Sequence, residues 1–236
     1  MHSFMLQRIE GIEVNTKSYT AAIMACGNGG NWQMALSLLE EMDQYGVLIS
    51  DFTYNACISA CEKSGKWEIA LELLEEMISL GIEPGTITYS ACISACARDF
   101  RVDVALDLFQ SMKNKMIPTN TIVYSALIDI CAQCERRSVA IELYEEAYAM
   151  GEKDHWVSQG GLCIDLHHHS RFSAGVAVEV ALKELQGPSG LWVKRDPGIE
   201  SVKIVVGKGL QSEVKFKSVV RPEVERVLRE GTLLTL

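Results

Sequence analysis

With 236 residues, 48% hydrophobic and 22% charged, the chain has the balance of one or two globular domains with real cores. No apolar run is long enough to cross a bilayer, and Met1-His2-Ser3-Phe4-Met5-Leu6 has neither the basic start nor the cleavage site of a secretory signal. The net charge of −9 is unevenly spread: residues 1–155 carry 11 Lys/Arg against 22 Asp/Glu, whereas residues 156–236 carry 11 against 9, so the first part is a poor non-specific binder of polyanions.

Self-similarity organises the first two thirds of the chain. Tyr19, Tyr54, Tyr89 and Tyr124 stand 35 residues apart, and Ala35-Leu36, Ala70-Leu71, Ala105-Leu106 and Ala140-Ile141 keep the same register. Met42, Met77 and Met112 keep it too, as do Gly46, Gly81 and Gly151, and Trp32 with Trp67. Four units result, at 16–50, 51–85, 86–120 and 121–155. Residues 1–15 precede them as the tail of a truncated unit, matched by Gly11-Ile12-Glu13-Val14-Asn15, with residues 2–10 as part of its second helix.

Each unit is predicted to form two helices. In the second, Tyr54 to Cys61 is apolar at helical spacing and stops at Ser64-Gly65. A second stripe, Trp67, Ile69, Ala70, Leu73, Leu74 and Met77, then runs up to Gly81, and Pro84 breaks the chain. One such pair cannot bury its apolar faces alone, so the units are expected to stack into an α-solenoid. Cys26, Cys61, Cys96 and Cys131 form one 35-residue series, and Cys57 and Cys92 another. They read as small residues at a repeated helix contact. Cys131 and Cys134 have zinc spacing but lack a second pair at finger distance, so no metal site is assigned. The pairs Glu40-Glu41, Glu75-Glu76 and Glu145-Glu146 fall on second helices and read as a solvated outer face.

After Gly151 the period stops, and residues 156–236 are read as a separate small α/β domain with a mixed sheet and two helices. Leu162 to His167 alternates as a strand, placing Asp165 and His167 on one face. An amphipathic helix over 173–186, a turn at Gly187-Pro188-Ser189-Gly190, a strand over 202–206 and a last helix over 219–230 are expected after it.

The 35-residue units resemble the pentatricopeptide repeat in Phe52-Thr53-Tyr54-Asn55, Ala70-Leu71-Glu72-Leu73-Leu74-Glu75-Glu76-Met77 and Gly81-Ile82-Glu83-Pro84. The resemblance implies single-stranded RNA as partner, read at about one base per unit. It assigns base reading to the residue after each tyrosine and to the last residue of its unit. These are Thr20 with Ser50, Asn55 with Gly85, Ser90 with Asn120, and Ser125 with His155. Short hydroxyl and amide groups can bond a base edge without filling its space. By the same resemblance Ser90 with Asn120 suits adenine and Asn55 a pyrimidine, while Phe52, Ile87 and Ile122, with Lys17 in the first unit, sandwich bases. If the acid lies on the outer side, the concave groove remains open to RNA. Four units specify few bases, so further units and any transit peptide are expected upstream; this chain shows no transit peptide of its own.

Residues 161–236 resemble the Smr domain. Ile164-Asp165-Leu166-His167 is similar to its Leu-Asp-Leu-His motif, Val206-Gly207-Lys208-Gly209 stands at its Thr-Gly-x-Gly, and Val220-Arg221-Pro222-Glu223-Val224 matches the domain's next segment. The resemblance implies binding or endonucleolytic cleavage of RNA, with Asp165 and His167 catalytic and Gly207, Lys208 and Gly209 at a phosphate. Lys203, Lys215, Lys217 and Arg221 are nearby in sequence and available to hold the strand, and Mg2+ is the candidate cofactor. Val206 removes a hydroxyl from the motif, and His168 replaces its following glycine. The expected protein is a monomer that acts in chloroplast or mitochondrial RNA processing with other proteins, without a membrane partner. A non-catalytic RNA adaptor and a protein-interaction scaffold are the alternatives.

Overall fold

The computed structural model describes residues 15–151, 163–166, 169–186 and 203–205. The chain divides into two compact units, Met1–Thr119 and Asn120–Leu236.

In the first unit, α1 (Thr16–Asn28) and α2 (Trp32–Gln44) form the first helix pair. Next come α3 (Asp51–Lys63) with α4 (Trp67–Ser79), and α5 (Thr86–Arg98) with α6 (Val102–Asn114). Each helix is 13 residues long, because each is stopped by the same local chemistry. At the end of α3, Gly65 takes φ +65° while the Lys66 N–H bonds back to the Cys61 carbonyl at 2.9 Å, which satisfies a terminal carbonyl. Asn15 caps α1, its side chain accepting the Ser18 N–H.

The third repeat takes the same left-handed turns without glycine, at Phe100 (φ 57°) and Met116 (φ 54°). A side chain there crowds its own carbonyl, whereas glycine does not. Met116 is 91% exposed, so its side chain gains little packing in return. Met116→Gly is expected to stabilise the fold by about 0.5–1 kcal/mol, strain relief less the added freedom of the unfolded chain. A urea midpoint that drops instead would show that the turn carries no strain.

The core lies between the two helix layers. Tyr54, Cys57, Ile58 and Cys61 of α3 are fully buried, as are Ala70 and Met77 of α4. First helices pack side by side, α1 on α3 and α3 on α5, while α2 packs on α3 and α4 on α5. At Gly27 α1 and α3 approach closely, for an added Cβ would lie 3.2 Å from the Ala60 Cβ. The repeated thiols occupy the contact of a first helix with the second helix before it: Cys57 Sγ donates to the Ala35 carbonyl at 3.8 Å and Cys92 Sγ to that of Ala70 at 3.6 Å. Of the glutamate pairs, Glu40, Glu75 and Glu76 are exposed as expected, but the pairs are not only a solvated face. Glu41 and Glu76 accept the hydroxyls of Tyr19 and Tyr54 at 2.8 and 2.9 Å, so the second member of each pair ties the two helices together. In the third repeat Ser111 stands at this register.

The second unit contains α7 (Thr121–Gln133), α8 (Arg137–Ala149), β1 (Cys163–Asp165), α9 (Arg171–Gln186) and β2 (Lys203–Val205). The Tyr124 hydroxyl again reaches the paired glutamate, here Glu146 at 3.1 Å. The strands are parallel, with Cys163 opposite Lys203, Ile164 opposite Ile204 and Asp165 opposite Val205. Parallel neighbours need a crossover, and α9 lies between them in sequence. It packs on both α7 and α8. Asp129 of α7 accepts the Ser170 hydroxyl and, at 3.2 Å, the Ser173 N–H, holding the first turn of α9. Glu179 pairs with Arg137, and Lys183 with Glu145 at 2.7 Å. The expected final helix over 219–230, the 187–190 turn and the segment before Asn15 lie outside the described residues.

Candidate nucleic-acid interface

The second residue of each first helix projects into solvent. Phe52 is 70% exposed, Ile87 68% and Ile122 62%, and Lys17 is exposed as well. Large apolar side chains held this open are explained by neither core packing nor capping. Behind Phe52 and Ile87 lies a cleft of about 230 Å³, lined also by Asn55, Met24, Ser59 and Lys63. It draws on α1, α3 and α5, so it opens on the first-helix layer.

At this cleft the structure fixes the Asn55 side chain. The Thr88 hydroxyl accepts the Gly85 N–H at 3.3 Å and donates to Asn55 Oδ1 at 2.7 Å. That bond leaves the Asn55 amide N–H groups as the donors presented to a ligand, suited to acceptor oxygens on a base edge. Thr20 repeats the pattern one unit earlier: it donates to the Thr16 carbonyl at 2.8 Å and lies 3.2 Å from the Thr53 hydroxyl. Thr53 and Thr88 are fully buried, and sequence reasoning missed both. Their signal was a polar residue in the same buried register 35 residues apart. Thr88→Val is expected to keep the fold but lower discrimination between bases at Asn55, measured by competition between RNAs that differ at one position.

The last residue of each unit proves to be the N-cap of the next first helix: Ser50 for α3, Gly85 for α5 and Asn120 for α7. Asn120 Oδ1 accepts the Val123 N–H at 3.0 Å. Capping therefore accounts for the residue types here as well as base reading does. Thr20, Asn55 and Ser125 are half-buried, whereas Ser90 is only 7% exposed. His155 lies outside the described residues.

Charge separates by layer. Of the acidic residues on the repeat helices, Asp51, Glu62 and Asp129 are on first helices, balanced there by Lys17, Lys63 and Arg98. The remaining twelve are on second helices, which carry only Lys113 and Arg137. In each unit the acidity that opposes a polyanion thus falls mainly on second helices. Lys63, which lines the cleft, donates to Asn28 Oδ1 at 2.8 Å.

In the second unit Asp165 ends β1 beside Val205, the last residue of β2, and the sequence continues from there into Val206-Gly207-Lys208-Gly209. His167, Gly207, Lys208, Gly209, Lys215, Lys217 and Arg221 lie outside the described residues, and the Asp165 and Lys203 side chains are likewise not described. Next to this strand, Leu166 is buried and His169 Nε2 is 2.9 Å from the Tyr144 hydroxyl. Among the described residues no His, Cys, Asp and Glu side chains gather into a metal-binding cluster, and no helix is long and apolar enough to cross a membrane.

The PPR repeat family matches residues 14–63, 50–98 and 86–133, and a PPR repeat matches 122–151. No curated protein matches the chain in sequence. Among solved structures, the pentatricopeptide repeat protein PPR10 in complex with an 18-nt psaJ RNA element is 22% identical with TM-score 0.58, covering 76% of this chain and 25% of its own. PPR10 from maize is 24% identical with TM-score 0.56, covering 77% and 26%. The PPR domain of Arabidopsis thaliana protein-only RNase P 1, in complex with tRNA, is 13% identical with TM-score 0.57, covering 64% and 80%. At these identities the likeness shows the fold, and the chain spans about a quarter of the length of PPR10. The family match takes in more than half of the chain and coincides with the helix pairs, so this protein belongs to the pentatricopeptide repeat family.

Proposed function

We infer that the first-helix layer binds single-stranded RNA, each unit engaging about one base. The observation that carries this is the cleft between Phe52 and Ile87 with Asn55 held by Thr88. Two exposed apolar walls accept the faces of a base, and an oriented amide meets its edge. The RNA-bound pentatricopeptide structures share this fold. Anisotropy of labelled single-stranded RNA at rising salt tests the reading. Measurable affinity at low salt that falls with salt is expected, and no binding to any RNA pool would remove it.

For residues 161–236 we carry the Smr reading forward as part of the same proposal: RNA bound by the repeats is gripped or cut by this segment. The end of β1 at Asp165 pairs with Val205, from which the sequence runs through Val206 into Gly207-Lys208-Gly209, and this supports it. Ligands of parallel sheets favour the carboxyl ends of strands. In the cutting form, Asp165 takes a proton from water, and the water oxygen bonds to phosphorus. The phosphorus bond to the leaving ribose oxygen then breaks as His167 protonates that oxygen. Asp165→Ala is expected to abolish nicking while leaving RNA affinity unchanged, read on a gel with and without magnesium. Nicking that survives would reassign the site, and binding without nicking in the parent chain would leave a non-catalytic grip. Action in chloroplast or mitochondrial RNA processing belongs to the same proposal, tested by locating the tagged protein in cells.

A further inference from the structure

On the layer opposite the RNA cleft, α2 and α4 leave a groove of about 230 Å³ between them. Its floor is aliphatic, from Leu36, Leu39, Ile69 and Leu73. Its rim is acidic, from Glu40, Asp43, Glu72 and Glu76, all exposed. Leu80, 59% exposed, continues the α4 side at helical spacing from Ile69, Leu73 and Glu76. Leu39 and Leu73 also belong to the core, at 6% and 4% exposed, whereas Leu36 and Ile69 stay half-buried at the groove.

We propose that this groove docks a basic amphipathic segment of a partner protein, whose aliphatic side chains enter the floor while its Lys or Arg residues meet the four carboxylates. Charge complementarity selects this occupant. RNA and anionic lipid headgroups are both repelled by the rim. A second copy of this chain, with a net charge of −9, carries the same sign. An aliphatic floor with a charged rim has the layout of a protein interface, apolar at its centre and polar at its edge. Because the groove and the RNA cleft are on opposite layers of the first unit, both can be filled together.

The test uses the full chain and two synthetic peptides, one with leucines along one helical face and lysines elsewhere, the other with its leucines replaced by alanine. Binding is followed by fluorescence anisotropy at low and moderate salt. The leucine peptide is expected to bind, and the alanine peptide at least about tenfold more weakly. Glu40→Lys/Glu72→Lys, both at exposed positions, should weaken the leucine peptide at least about tenfold while thermal unfolding stays unchanged. Leu36→Gln/Ile69→Gln should weaken it without altering the charge. No binding, equal affinity for the two peptides, or parent-like affinity in either double variant would each overturn the proposal.

Discussion

Phe52→Ala is expected to weaken single-stranded RNA binding by about 1–3 kcal/mol, a roughly 5- to 150-fold rise in Kd. The ring is 70% exposed at the mouth of the Asn55 cleft, so its removal costs a stacking face for the base and little of the core. Thermal stability should therefore stay close to that of the parent. The control is Phe100→Ala, another exposed aromatic, placed in the turn after α5 rather than on the first-helix layer. If stickiness of exposed aromatics were the source of affinity, both variants would lose it alike. If the cleft is the site, only Phe52→Ala does. The two outcomes separate recognition from non-specific adhesion, and neither depends on whether the C-terminal segment cuts RNA. The slope of affinity against salt should be unchanged in Phe52→Ala, because no cation has been removed.

The helix pairs were legible in the sequence because their cause is local. A 35-residue recurrence of Tyr, Ala-Leu, Met and Gly fixes which residues face the core, and α3 and α4 run where that stripe runs. The helix expected over 173–186 begins at Arg171 because Ser170 and Ser173 cap one another, and that reciprocal bond is not a matter of periodicity. What could not be read depends on partners distant in sequence. Glu76 and its neighbour Glu75 look alike along the chain and both are exposed, yet Glu76 meets a tyrosine hydroxyl 22 residues away. Lys66 lies 5.6 Å from the Trp32 ring and Arg101 4.6 Å from that of Trp67, so a unit's tryptophan is covered by a cation from the next. Likewise, the sequence placed α9 in a small domain of its own after the period ended. Its first turn is held by Asp129 of the fourth repeat, a contact that a pattern confined to 161–236 could not reveal.

The buried thiols make the array sensitive to alkali. Burial raises Cys57 from 9.0 to about 12, with Cys61 and then Glu76 adding to the shift. Cys61 and Cys96 are each raised to about 11, again chiefly by burial, and Cys92 rises in the same direction. Unfolding returns each thiol to water, where it ionises near its ordinary value. The folded state therefore keeps protons that the unfolded chain has lost. Stability is fully present below about pH 9 and declines as pH climbs towards the raised values, each thiol contributing up to about 1.4 kcal/mol per pH unit. Tyr54, whose hydroxyl is raised by burial and by its bond to Glu76, adds to the slope above about pH 10. Urea unfolding under reductant should thus show a midpoint that falls steeply between about pH 8 and 10, by several kcal/mol in order of magnitude if the four thiols act independently. Cys57→Ala/Cys92→Ala is the decisive variant. It starts less stable at pH 8, because alanine leaves space at both contacts, but its decline with pH should be markedly shallower. A parent midpoint that is flat over this range, or a variant slope equal to the parent's, would mean that the thiols titrate as though solvated. The contact of each first helix with the second helix before it would then be far looser than its packing indicates.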